Sequence, residues 1–144
     1  MGQMLFSFEG RLARLRYFLL SVVTALLASA AIAVLMIGIF AHGARVSGPA
    51  LIGCAVILLA VSIIGLSLTV RRLHDLDLTG WWVLAIWGGP AAIEAVRYQL
   101  ADAPKLASTV SGLISLAIGL WLWLMPGTPG ANRFGPDPRG EAAG

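Results

Sequence analysis

The residues able to do chemistry are concentrated in one stretch, Arg71-Arg72-Leu73-His74-Asp75-Leu76-Asp77-Leu78-Thr79-Gly80-Trp81-Trp82. It carries two guanidiniums, two carboxylates and an imidazole. A carboxylate beside a histidine orients the ring and raises its basicity, which suits acid–base work or metal ligation. Against that, the stretch has a single histidine, and Arg71 and Arg72 would repel a cation. No catalytic, metal or cofactor-binding residue is therefore assigned. Asp75 is expected instead to make a charge-assisted contact with Arg71, Arg72 or an arginine of the N-terminal segment. Left unpaired at an interface, it would cost about 1–3 kcal/mol. The sequence has no Gly-Lys-Ser/Thr phosphate loop, no two-histidine helix motif and no Ser–His–Asp set of workable placement.

A second chemical possibility needs the chain termini. Arginine binds phosphate bidentately, and each cation near an anionic membrane surface contributes about 1 kcal/mol. Arg11, Arg14, Arg71, Arg72 and Arg133, with His74, Asp75, Trp81 and Asn132, form a candidate polar cap for lipid headgroups. The tail is expected to fold back on the central stretch. Arg133 would then reach Asp75 or Asp77, and Phe134 would fill an apolar notch beside the second and third spans. Asn132, with donors and an acceptor, would bond loop backbone.

The elements that must hold these residues are membrane spans. Hydrophobic residues make up 58% of the 144-residue chain and charged residues 12%, and mean hydropathy is +0.87. Soluble domains carry about 25% charge. The length suits one small bundle. A net charge of +3 is too small to imply nucleic-acid binding, and fits cations facing anionic lipid. Cys54, the sole cysteine, excludes an intrachain disulfide. Tyr17 to Phe40 is uncharged for roughly 24 residues. A signal-peptide core has about 7–15, so this segment reads as a retained span.

Met1 to Arg16 is a short amphipathic lead-in, in which Met4, Leu5, Phe6, Phe8, Leu12 and Leu15 dip into the interface and the arginines stay at headgroup level. Spans are expected over about 17–41, 50–70, 81–101 and 106–125, with a motif loop at 71–80 and a Pro/Gly-rich tail at 126–144. The first two are joined by a turn-rich connection from His42 to Pro49. Gly88-Gly89-Pro90 should interrupt and kink the third. Glu94 and Arg97 pair on one helix face, and Asp102, Pro104 and Lys105 mark a turn. Ser62 and Thr69 bond back to their own helix. Ala25, Ser29 and Ala33, and Ser111, Ser115 and Gly119, form small-residue stripes for close helix packing. Trp81-Trp82 and Trp121 with Trp123 read as interfacial belts. About seven Lys and Arg fall on the face of the termini and central loop, and about three on the other. By the positive-inside rule both termini are cytoplasmic.

Three motifs together resemble a known family. Phe8-Glu9-Gly10-Arg11 with Arg14 and Tyr17 is similar to its N-terminal signature. Arg71-Arg72-Leu73-His74-Asp75 with Gly80-Trp81-Trp82 is similar to its central one. Gly127-Thr128-Pro129-Gly130 followed by Asn132-Arg133-Phe134-Gly135-Pro136-Asp137-Pro138 is similar to its C-terminal one. The family is the domain-of-unknown-function 805 group, the YhaH-like bacterial inner-membrane proteins. Asp77-Leu78-Thr79 stands where members usually have a basic residue and Ser. The resemblance implies a small protein of the bacterial inner (plasma) membrane and no particular activity.

The expectation is an all-α membrane protein: a four-span helical bundle of two hairpins under a polar cap. Its leading function is a non-enzymatic scaffold, regulatory or lipid-interacting module. Its partners would be membrane lipids, anionic ones included, and a second copy or another membrane protein. The alternative is a small transporter or channel subunit acting as an oligomer, and the third reading is an enzyme on lipid headgroups. The spans carry almost no mid-membrane polarity beyond Ser and Thr, which ranks transport second.

Overall fold

The computed structural model describes residues 7–42, 47–99 and 106–140. It is all-helical: α1 (Arg14–His42), α2 (Gly48–Asp75), α3 (Trp82–Gln99) and α4 (Leu106–Leu124). Met4, Leu5 and Phe6, most of the connection after His42, and the Asp102 to Lys105 turn lie outside the described residues. With 29 and 28 residues, α1 and α2 each exceed the ~30 Å of a bilayer core at 1.5 Å per residue. Both are apolar enough to cross it. α3 and α4 have 18 and 19 residues, at the short end of a spanning helix.

The helices pack chiefly as two hairpins, α1 on α2 and α3 on α4. The main buried cluster lies at one end, where Leu12, Tyr17, Leu68, Leu73 and Leu122 meet, and Ala31 and Ser111 are buried farther along. Elsewhere large apolar side chains such as Leu26, Ile37, Ile52 and Leu113 face outward, as suits helices solvated by lipid. Ser62 and Thr69 donate to Leu58 and Gly65 carbonyls at 2.7 and 2.8 Å, so the hydroxyls are satisfied within their own helix. Gly65 lets Trp87 approach, since a Cβ there would lie 2.8 Å from the indole.

Four expectations are corrected. The motif stretch is not a loop from residue 71: α2 runs through Asp75, because Arg71, Arg72 and Leu73 are good helix formers and partners outside the helix cap its last carbonyls. Gly88-Gly89-Pro90 does not interrupt α3, which continues past Pro90. Trp123 is not a belt residue: its ring packs edge-on against Phe18 at 4.9 Å, and its Nε1 donates to Ser21 Oγ at 3.0 Å, tying α4 to α1. The Ala25, Ser29 and Ala33 stripe makes no close helix packing within the chain: all three are exposed, and Ala25 borders a crevice between the hairpins. Glu94 and Arg97 do pair, at 2.7 Å.

Candidate functional site

The centre of the site is Asp75, in the last turn of α2. Its Oδ1 accepts Arg11 Nε at 3.1 Å and Arg11 Nη2 at 2.9 Å. Its Oδ2 accepts Arg72 Nη1 at 2.5 Å. The side chains of Arg11 and Asp75 are 1% and 3% exposed, and that of Arg72 is wholly buried. Two cations around one anion leave a net positive charge in a dry place, and backbone carbonyls must offset it. Arg11 also donates to Gly130 O at 2.5 Å and Thr128 O at 2.6 Å. Arg72 donates to Leu122 O at 2.8 Å and to Met125 O. Those two carbonyls end α4, where a helix presents the negative end of its dipole. A side chain of α2 thus caps α4.

The end of α2 is accounted for carbonyl by carbonyl. Arg71 O accepts Leu12 N at 3.1 Å. Leu73 O accepts Leu78 N at 2.9 Å, and His74 O accepts Asp77 N at 3.1 Å, which together make a Schellman motif. Its left-handed residue, usually glycine, is Asp77 at φ 58°. Asp75 O accepts Thr128 N at 2.9 Å and Thr128 Oγ1 at 3.1 Å. Asn132 Nδ2 donates to His74 O at 2.9 Å. Gly127 is obligatory where the tail crosses, because a Cβ there would overlap the Asp75 carboxylate.

His74 is half-buried. Its Nδ1 lies 3.2 Å from Gly10 O, which only accepts, so Nδ1 carries the proton. Its other face stacks on Phe134 at 3.9 Å, with the rings 4° from parallel. Phe134 therefore covers the imidazole and does not fill an apolar notch. Arg133 lies 4.8 Å over the Phe134 ring. It pairs with Asp77 at 3.1 Å, and Asp75 is left to Arg11 and Arg72. Farther out, Asp137 accepts from Arg139 at 2.9 Å. That guanidinium, with the backbone amides of Arg139 and Gly130, holds the Asp137 carboxyl well below the usual carboxylate range.

The structure thus brings Arg11, Arg72, His74, Asp75, Asn132 and Arg133 into one cap. Arg71 contributes its carbonyl, and its side chain is half-buried. Arg14 is exposed on the first turn of α1, and Trp81 is 79% exposed; among the described residues, neither has a side-chain hydrogen bond to the cap. Two more expectations are corrected. Arg11 and Arg72 are not open to headgroups: all their guanidinium nitrogens bond the protein, so neither offers a free fork to a phosphate. Leu12 packs in the core and does not dip into the interface. Thr128, Gly127 and Ser67 lay outside the candidate cluster. Thr128 and Gly127 belong to the Gly127-Thr128-Pro129-Gly130 motif, which was the signal for them. Ser67, which donates to Ser7 O at 2.5 Å, has none in the sequence. Both oxygens of the Asp75 carboxylate are occupied by guanidiniums, so it is built to hold segments together and is not an open base.

Fold and cap define a class: an all-helical protein with helices of membrane-crossing length, closed at one end by a buried Arg–Asp–Arg cluster. The chain belongs to the family described as Protein of unknown function (DUF805), whose sequence model matches residues 5–136. It is similar to inner membrane protein YhaH of Escherichia coli strain K12, 34% identical over 71 residues. That match spans 49% of this chain and 40% of the relative. The protein of the same name in Escherichia coli O157:H7 matches equally. No solved structure matches.

Proposed function

We propose that this chain is a bacterial inner-membrane protein whose four helices all cross the bilayer, with both termini and the cap on the cytoplasmic face. It works as a non-enzymatic scaffold or lipid-interacting module through that cap. The observation that carries this reading is the convergence of two segments distant in sequence, the one before α1 and the tail, on Asp75 of α2, where Arg72 of the same helix joins them. Such a cap ties the segment before α1 to the ends of α2 and α4 and leaves Arg14, Arg16 and Arg133 exposed, as suits the level of anionic headgroups. The uneven Lys and Arg distribution supports the orientation. Reporter fusions at Gly144 and in the loop after Asp75 are expected to report cytoplasm, and a fusion near His42 the opposite side. A C-terminus opposite the central loop would mean an odd number of crossings and overturn the four-span reading.

A further inference from the structure

The two hairpins leave a crevice of about 520 Å³ between them, lined by all four helices. Tyr17 and Leu122 stand at its cap end, and Ala28 and Pro90 farther along. From Tyr17 to Ala28 the rise is about 16 Å, roughly half the ~30 Å hydrocarbon core. The walls are apolar or self-satisfied. Ser21, Thr24, Ser62, Thr69 and Ser115 each donate a hydroxyl to a carbonyl of their own helix. Ala25, Ser62 and Ser115 are exposed, so the crevice opens sideways.

The α1 wall is a single helical stripe: Tyr17, Ser21, Thr24, Ala25 and Ala28. Arg14, three residues before Tyr17, continues that face one turn nearer the cap. It is exposed, whereas Arg11 and Arg72 are held within the cap. The buried cluster behind it carries net positive charge. An apolar slot half a bilayer deep, open to the side and with an exposed cation one helical turn beyond its cap end, has the shape and charge of one membrane component.

We infer that the crevice binds one acyl chain of a phospholipid from the leaflet on the cap side, with the lipid phosphate on Arg14. This deepens the lipid-interacting reading above and rests on it.

Native mass spectrometry of the full chain in mild detergent tests it, with phosphatidylglycerol or a diacylglycerol of the same chains added. Ala25→Trp and Ser115→Phe fill the crevice from two exposed positions, and a thermal melt identifies any variant that fails to fold, leaving the other to carry the test. The wild type is expected to retain one molecule of either lipid, and both crevice variants to lose both lipids. Arg14→Gln is expected to lower phosphatidylglycerol retention about fivefold, the effect of one interfacial cation, and to leave diacylglycerol retention unchanged. Retention that survives in folded crevice variants, or a lipid-free wild-type dimer closed over the crevice, would overturn the inference. Should Arg14→Gln alone lower retention, the cap still meets headgroups and only the crevice assignment fails. An error in the spanning topology would register separately, in the reporter fusions.

Discussion

At the residue scale the protein depends on one carboxylate. Asp75 neutralises part of the charge of two buried guanidiniums, and removing one partner of such a cluster leaves an uncompensated charge in a dry place. Asp75→Ala is therefore expected to destabilise the protein by about 3–5 kcal/mol, read as a fall in melting temperature in detergent. Glu94→Ala breaks a pair whose side chains are 38% and 40% exposed, and water screens it, so its loss should stay under about 1 kcal/mol. Equal effects would mean that Asp75 has no special place. The same carboxylate explains Gly127. Gly127→Ala puts a methyl group where the carboxylate lies, so either the tail or the ion cluster must give way. Its melting temperature should fall towards that of Asp75→Ala. Gly112→Ala, in open space on α4, should melt at or above the wild type, because alanine is the better helix former.

At the scale of elements, the ends of α2 and α4 beneath the cap are closed by other segments of the chain. α2 stops through a Schellman motif with Asp77 in the left-handed region. A side chain there costs up to about 1 kcal/mol relative to glycine. The exposed pair with Arg133 offsets only part of that. Arg133 also donates to the Asp77 carbonyl at 2.7 Å, a bond that glycine would keep. Asp77→Gly is thus expected to be neutral or to stabilise by up to about 1 kcal/mol in the same melt. A clear loss would show that the Asp77–Arg133 pair contributes more than its exposure suggests. α4 ends differently, with Arg72 of α2 on its Leu122 and Met125 carbonyls, so one residue joins the two hairpins.

At the scale of the whole molecule, the main buried cluster is small and sits at one end, beneath the cap. The outer surface is left to apolar side chains that suit lipid. Between them the hairpins touch less than within themselves, so the tail acts as a clasp. Truncation before Gly127 removes the Thr128 and Asn132 bonds to α2 and the Gly130 carbonyl on Arg11. Truncation before Asp137 removes an exposed turn with its Arg139 contacts. The first is expected to lower the melting temperature and open the loop after Asp75 to protease far more than the second. Matching digestion patterns for the two would exclude the clasp.

Hydropathy alone determined that the chain is helical and apolar enough for a membrane, since a backbone in lipid must satisfy its own hydrogen bonds and a helix does so locally. The spacing of apolar runs placed all four helices, and the back-bonded Ser62 and Thr69 followed from residue type. An arginine partner for Asp75 was equally legible, because a half-desolvated carboxylate needs a cation. Only the tertiary structure decided that two arginines share it, that Arg11 is among them, and that both are thereby withdrawn from lipid. Which of several arginines reaches a given carboxylate depends on how three segments, separated by as many as 119 residues, cross over one helix end. No local spacing encodes that. The continuation of α2 through Asp75 was hidden for the same reason. Charged residues after an apolar run read as a loop, and it is the caps from Leu12, Thr128 and Asn132 that let those residues stay helical.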